Sequence, residues 1–346
     1  MVSDGRATAP QGGRGPRVRG RAPIFAALDL GTNNCRLLMA TPEPGGGLKV
    51  VDGFSRIVRL GEGLAQSGRL GEAAMARAYQ ALQACAQRID ARRPVSIGCV
   101  ATQACRAASN GQTFLNRIKS DLGLDFQVIS PEDEARLSVL GCASLMEHES
   151  DVAMVLDIGG GSTEMSWVKP KDVIGNGVNP PILGWSSTPL GVVTLAEAEA
   201  EPQDNRAAWY EARVEKLAAQ LRAATANEDV RAAFANGRAH MIGTSGTVTS
   251  LAGVHMRLPR YERQKVDGYW FDVGDCRAAI AGLLAQDHAG RAAHPCIGKD
   301  RADLVVAGGA ILDAVLRVWP VERIRVADRG LREGVLMRLM AQHGAR

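Results

Sequence analysis

Aromatic residues make up only 4% of this 346-residue chain, so its core cannot be built on large rings and must rest on Ala, Val, Leu and Ile. Alanine and leucine at this density favour helices over an all-β design. No apolar run approaches the roughly 18 residues that a membrane span needs, which excludes a bilayer-crossing helix. The 6 histidines form no HxxxH or HExxH pair, which argues against a zinc site. The 7 cysteines (Cys35, Cys85, Cys99, Cys105, Cys142, Cys276 and Cys296) are odd in number and lack CxxC spacing. That pattern fits reduced, buried thiols in a cytoplasmic protein rather than a disulfide scaffold.

Net charge is also missing, except at one end. Arg6, Arg14, Arg17, Arg19 and Arg21 stand against the single acid Asp4 within residues 1–22, a sum of +4 that equals the net charge of the whole chain. Residues 23–346 are therefore neutral, and bulk charge gives no argument for a nucleic-acid partner. Any attraction for phosphate must come from a local groove. The leader has no apolar stretch of the secretory kind, and its Arg, Gly and Pro content reads as a disordered segment.

What is present is an ordinary globular composition, 46% hydrophobic and 23% charged, in a chain long enough for two domains. Short apolar runs predict strands at 24–30, 36–40 and within 48–60. Alanine and leucine spacing predicts a long helix over 72–92. A strand at 95–100, a helix at 113–122, a strand at 126–129 and a helix at 132–146 follow. The pattern then restarts with strands at 152–157 and 163–168, the latter placing Met165 and Trp167 on one face and Glu164 and Ser166 on the other. Further strands are expected at 185–188, 240–243 and 323–327, and helices at 209–224, 247–256, 276–285, 301–318 and 331–341.

The restart is specific. AALDLGTNNCRLLM (26–39) lies over MVLDIGGGSTEMSW (154–167) without a gap, so that Asp29 falls on Asp157, Gly31 on Gly159 and Arg36 on Glu164. A spacing of 128 residues is too long for a solenoid repeat and suits a duplicated domain. The expected division is a leader at 1–22, a first domain at 23–147 and a second at 148–346, with the final helix free to pack back on the first.

Each copy ends a strand in an aspartate and follows it with a Gly-rich, hydroxyl- and amide-bearing turn. Such turns offer backbone N–H groups to a phosphate, since glycine lets the backbone approach closely. The aspartate would repel that phosphate unless a cation lay between them, which implies magnesium or a similar hard divalent ion. Gly243, Thr244, Ser245, Gly246 and Thr247 follow a strand and open a helix. This is either an anion-binding helix start or a plain turn with Thr247 as N-cap. Glu132, Asp133, Glu134 and Arg136 open another helix, where acids ordinarily stabilise the dipole; one of them reaching into a cleft as a general base is the other reading. Arg106 is a solvated arginine or a phosphate clamp.

Together these residues resemble the exopolyphosphatase and guanosine pentaphosphate phosphohydrolase family of the actin, sugar-kinase and heat-shock-chaperone superfamily. The resemblance runs through LDLGTNN (28–34), VATQACRAASN (100–110), VISPEDEAR (128–136), LDIGGGSTE (156–164), TPLGVVTLAE (188–197), IGTSGT (242–247) and ADRGLREG (327–334). It implies an α/β fold of two actin-like (ribonuclease H-like) ATPase-fold domains with a cleft between them, similar to the short, two-domain branch. Longer members add a helical phosphohydrolase-like domain. By resemblance, Glu134 polarises the attacking water, Asp157 and Glu164 position the metal and terminal phosphoryl group, and Arg106 contacts phosphate. Asp29, Gly31, Thr32 and Asn33 match the first phosphate loop, and Gly159, Gly160, Gly161 and Ser162 the second. Thr32 and Asn34 depart from the usual DLGSNS, Pro131 and Ser245 stand where glycine is usual, and Asp267 where histidine is frequent.

The expected function is that of a cytoplasmic exopolyphosphatase releasing terminal orthophosphate from inorganic polyphosphate by metal-assisted water attack. The alternative within the family is a guanosine pentaphosphate 5'-phosphohydrolase. A kinase would need an acceptor site, for which no candidate stands out. A nucleotide-binding switch, or a phosphate-chain sensor without turnover, is the reading from another class. A homodimer is expected by resemblance only. A basic track of Arg257, Arg260, Arg263 and Lys265 is the feature that would suit a long phosphate chain.

Overall fold

The computed structural model describes residues 22–44, 47–175, 178–222 and 228–344, so the basic leader falls, but for Ala22, outside the described residues. Five strands form the first sheet: β1 (Phe25–Leu30), β2 (Asn34–Pro42), β3 (Leu48–Ile57), β4 (Ser96–Ala101) and β5 (Phe126–Val128). Their order is β3-β2-β1-β4-β5, with β2 antiparallel to β1 and β3, and with β1, β4 and β5 parallel. The second sheet holds β6 (Val152–Ile158), β7 (Thr163–Val168), β8 (Gly184–Thr188), β9 (Ala239–Thr244), β10 (Trp270–Asp272) and β11 (Arg323–Val326).

Its order, β10-β11-β9-β6-β7-β8, repeats the first when read from β8, with β10 added antiparallel at the far edge. Two actin-like, ribonuclease H-like units face each other across a cleft. The ungapped repeat in the sequence is thus a repeat of register: Asp29 lies opposite Arg36 in β1–β2, and Asp157 lies opposite Glu164 in β6–β7. The turns match as well, since the Gly31 N–H donates to Asn34 O and the Gly159 N–H to Ser162 O, each at 2.9 Å.

Each sheet buries both faces, which is why β1 and β6 read as near-continuous apolar runs. One face of the first sheet packs Leu28, Leu30, Leu37 and Met39 under the long helix Glu72–Arg92 (Leu82, Cys85, Ile89). The other face packs Phe25, Ala27 and Val100 against Leu137, Val335, Leu336 and Met340, so the final helix Leu331–Gln342 lies on the first sheet. In the second sheet, Met165 and Trp167 enter the large core, where Trp167 meets Trp319 at 5.0 Å between ring centroids. The helix Pro131–Cys142 joins the two units, with Leu137 in the first sheet's core and Val139 and Cys142 against Ala153, Val155 and Ile242 of the second.

That helix and the final one pass backbone against backbone. A Cβ on Gly141 would stand 1.9 Å from Gly330 O, and one on Gly334 would stand 2.0 Å from Leu137 O. Only glycine permits this approach, which seats the first turn of the final helix against the middle and last turns of the helix Pro131–Cys142.

Several elements differ from the sequence expectation. The helix expected over 301–318 begins at Val305, because residues 301–304 form turns that turn Arg301 toward the cleft. The helix expected from Thr247 begins at Ser245 with Thr244 as its N-cap residue. The helix expected over 132–146 ends at Cys142 and continues as a 3-10 turn, Ala143–Leu145. β10 has only three residues and exists through its pairing with β11, which no local period announces.

Candidate active site

The helix Pro131–Cys142 begins with Ser130 as N-cap, its Oγ accepting from the Asp133 N–H at 3.1 Å, and with proline at its first position. Its three first-turn acids separate by role. Glu132 pairs with Arg136 at 2.7 Å on the surface, and Asp133 accepts from Ser130 Oγ at 3.0 Å. Glu134 turns inward, its side chain 12% exposed, and lines the cleft.

The cleft has a volume of about 620 Å³ and brings both aspartate-and-glycine turns together with Glu134, Thr244, Ser245 and Gly246. The turns abut: a Cβ on Gly160 would stand 3.0 Å from the Asn33 N, and one on Gly161 would stand 2.9 Å from Thr32 Oγ1. Asn33 Oδ1 and Asn34 Oδ1 are buried here without a hydrogen-bond partner, so these amides are free to meet a ligand. Asp157 Oδ2 accepts from Ser138 Oγ at 3.4 Å, and the Ser245 hydroxyl bonds to the same carboxylate. Glu164, 3% exposed, sits just behind, its Oε1 accepting from Ser187 Oγ at 2.7 Å.

Four enclosed carboxyl groups thus share one region, and all four hold their protons more tightly than usual. Burial pushes Asp29 up to about 6, against the pull of Arg36 and Arg332. Burial and then the charge of Asp157 push Glu164 up to about 7, while hydroxyl bonds from Ser162 and Ser187 act the other way. Glu134 is raised by burial and by Glu164 and Asp157, with Arg106 opposing. Asp157 is raised by burial, with Arg36 opposing. Carboxylates in this condition favour a cation among them.

The donor set is all oxygen, as a hard divalent ion requires. Among the described residues no three Asp, Glu, His or Cys side chains are grouped to hold a metal alone. An ion of the magnesium kind takes only one or two carboxylates and completes its shell with phosphate and water, so it does not need three such side chains.

Besides Glu164, two expected residues sit off the cleft wall. Gly243 faces the core, where an added Cβ would meet Val248 and Ile324, and its carbonyl accepts from the Ala327 N–H. The Arg106 guanidinium donates to Ile129 O at 2.7 Å and Gln103 Oε1 at 2.8 Å, and lies 3.4 Å from Glu134 Oε2. Of Arg257, Arg260, Arg263 and Lys265, only Arg263 lines the cleft.

The remaining positive charge comes from residues not singled out as site groups in the sequence: Arg36, Arg301, Arg329 and Arg332. Arg263 donates to Glu333 Oε1 at 2.7 Å, and Arg329 forks onto Asp267, with Nε at 3.1 and 3.0 Å from its two oxygens. The ADRGLREG run carried the signal for this wall, since its Arg329 and Glu333 form these bonds and its Asp328 accepts from the Tyr261 hydroxyl at 2.8 Å.

The Ppx/GppA phosphatase family profile matches residues 41–343. The chain belongs to the Ppx/GppA phosphatase family. A Photobacterium profundum relative named guanosine-5'-triphosphate,3'-diphosphate pyrophosphatase is 28% identical over 333 residues, covering 93% of this chain and 60% of its own length. This chain therefore spans about three-fifths of that curated relative. Among solved structures, an exopolyphosphatase from Cytophaga hutchinsonii superposes with a TM-score of 0.80 at 25% identity, over 93% of this chain and 99% of its own. The Aquifex aeolicus Ppx/GppA family member gives 0.74 at 28% identity, over 93% and 98%. Ppx/GppA phosphatases are hydrolases that act on phosphoanhydride bonds. Among the described residues no helix is long and apolar enough to cross a membrane.

Proposed function

We propose that this cleft hydrolyses the terminal phosphoanhydride bond of inorganic polyphosphate, releasing orthophosphate and leaving a chain one unit shorter. The observation that carries this reading is the inward turn of Glu134, alone among its neighbouring acids, toward Asp157 and the two glycine turns in an arginine-lined cleft. The backbone amides of Gly31, Thr32, Asn33, Gly159, Gly160, Gly161 and Ser162, with Thr244, Ser245 and Gly246 opposite, are suited to bind phosphate oxygens. Glu134 accepts a proton from a water held in line with the terminal phosphorus. The oxygen–phosphorus bond to the leaving chain breaks as the new bond forms, and the electron pair leaves with the bridging oxygen. Such a transition state is loose, so positioning and neutralisation carry most of the acceleration.

A magnesium-type cation held by Asp157 and Glu164 would supply positive charge beside the terminal phosphate. Arg36, in electrostatic reach of both Asp29 and Asp157, and Arg263 continue that neutralisation along the chain. Guanidinium groups dominate the cleft, while Phe54 and Tyr261 are its only aromatic rings among the described lining residues, which suits a phosphate chain better than a base.

A guanosine pentaphosphate is the second reading, favoured by the name of the Photobacterium relative. Cytoplasmic location belongs to the proposal through seven cysteines that are all buried and free; a homodimer belongs to it through the family resemblance alone. The test is orthophosphate release with magnesium from short polyphosphate, long polyphosphate and guanosine pentaphosphate. A higher kcat/KM on polyphosphate supports the first reading, a higher value on the nucleotide supports the second, and no release from any of the three rejects both.

A further inference from the structure

Arg106 sits at the end of the short helix Gln103–Ala107, directly after β4, and its guanidinium is committed in three directions. Nη1 donates to the carbonyl of Ile129, the residue just before the N-cap Ser130, at 2.7 Å. Nη2 donates to Gln103 Oε1 at 2.8 Å, and Nη1 faces Glu134 Oε2 at 3.4 Å. The arginine therefore holds both the start of the helix Pro131–Cys142 and the acid on its first turn. It is 21% exposed and stands behind Glu134 rather than on the cleft wall. A planar fork with fixed donors suits this task, whereas a lysine has a single point charge and cannot reach a carbonyl, an amide and a carboxylate at once.

We infer that Arg106 is a positioning residue that acts through Glu134, holding its carboxylate in place for water, and that it makes no contact with the phosphate chain. The inference rests on the proposed role of Glu134. It separates cleanly from a phosphate clamp, because a clamp acts on substrate whether or not Glu134 is intact. Gln103, half-buried on the cleft side, keeps the outer face of the guanidinium occupied.

The experiment is a double-mutant cycle with Arg106→Ala and Glu134→Gln, measured with short-chain polyphosphate and magnesium. Steady-state turnover is read for the wild type, for each single variant and for the double variant. Equilibrium binding of polyphosphate is read in the Glu134→Gln background, where slow hydrolysis leaves the substrate intact. Loss of the outer-sphere partner of a working group costs about 10- to 100-fold. Arg106→Ala is expected to lower kcat by that factor with KM little changed, to leave polyphosphate affinity in the Glu134→Gln background unaltered, and to add no further loss of kcat there.

Arg106→Lys is expected to fold with the wild-type melting temperature and still lose most of the turnover, which separates the fork from mere charge or folding. A several-fold loss of polyphosphate affinity on adding Arg106→Ala to Glu134→Gln overturns the inference in favour of a phosphate clamp. Independent, multiplicative losses of kcat overturn it too. Wild-type turnover in Glu134→Gln alone would instead reject the role of Glu134 and the inference with it.

Discussion

Asp157 lies opposite Glu164 across the β6–β7 hairpin at the same register at which Asp29 lies opposite Arg36 across β1–β2. One duplicated frame thus sets acid opposite acid in one unit and acid opposite arginine in the other. In the proposed mechanism the acid pair holds a cation, and Arg36 adds positive charge from the facing unit, since it lowers the proton affinity of both Asp29 and Asp157. Arg36→Met should therefore raise KM for polyphosphate about 10-fold or more, as removal of one charged hydrogen-bonding partner costs about 1.5–3 kcal/mol. Steady-state kinetics at fixed magnesium check this, and an unchanged KM would place Arg36 outside the phosphate path.

The raised carboxyl groups make stability depend on pH in a stated direction. Asp29 is about 6 and Glu164 about 7 in the folded protein, against ordinary values of 3.8 and 4.5. The native state therefore binds more protons than the unfolded chain between these limits, and stability falls as pH rises through that window. Asp29 alone accounts for about 3 kcal/mol at most. In metal-free protein the melting temperature should drop from about pH 5 to pH 8, and magnesium should restore more of it at pH 8 than at pH 5. Melting curves with and without chelator measure both, and a melting temperature that rises with pH across this window would contradict the assignment.

Ser245 occupies left-handed backbone, φ 75°, where glycine is favoured, yet its hydroxyl bonds to Asp157. A non-glycine residue held there costs about 1–3 kcal/mol, partly offset by the greater freedom glycine has when unfolded. Ser245→Gly should leave the protein as stable or more stable by about 1 kcal/mol while lowering kcat, because strain is relieved and a hydroxyl on the carboxylate is lost. A less stable variant with full turnover would show that the serine serves folding alone.

The crossing of the helices Pro131–Cys142 and Leu331–Gln342 leaves no room at Gly141, where a Cβ would stand 1.9 Å from a carbonyl oxygen. Since the obstacle is backbone and not a movable side chain, Gly141→Ala should cost about 3 kcal/mol or more. It should also displace the turn that carries Glu134. Chemical denaturation measures the first effect and turnover of the folded fraction the second.

The ungapped hairpin repeat was legible because register in a hairpin is carried by local alternation and turn chemistry, and both survive as sequence. Glu134 is separable from Glu132 and Asp133 in the sequence only through the family resemblance, since which acid turns inward depends on the face that Leu137, Val139 and Cys142 bury. Arg329 on Asp267 and Arg263 on Glu333 join residues 62 and 70 positions apart, and a charge pair at that separation leaves no trace in a single sequence. Arg301 was hidden for the opposite reason. Its apolar surroundings read as a helix from 301, whereas residues 301–304 turn and the helix waits for Val305.

In the proposed mechanism Glu134 activates water against the terminal phosphate. Orthophosphate release from polyphosphate, compared between the wild type and Glu134→Gln in magnesium, tests it most directly. Glu134→Gln is expected to lose about 10²- to 10⁴-fold in kcat with polyphosphate binding retained. Wild-type release by Glu134→Gln would contradict it.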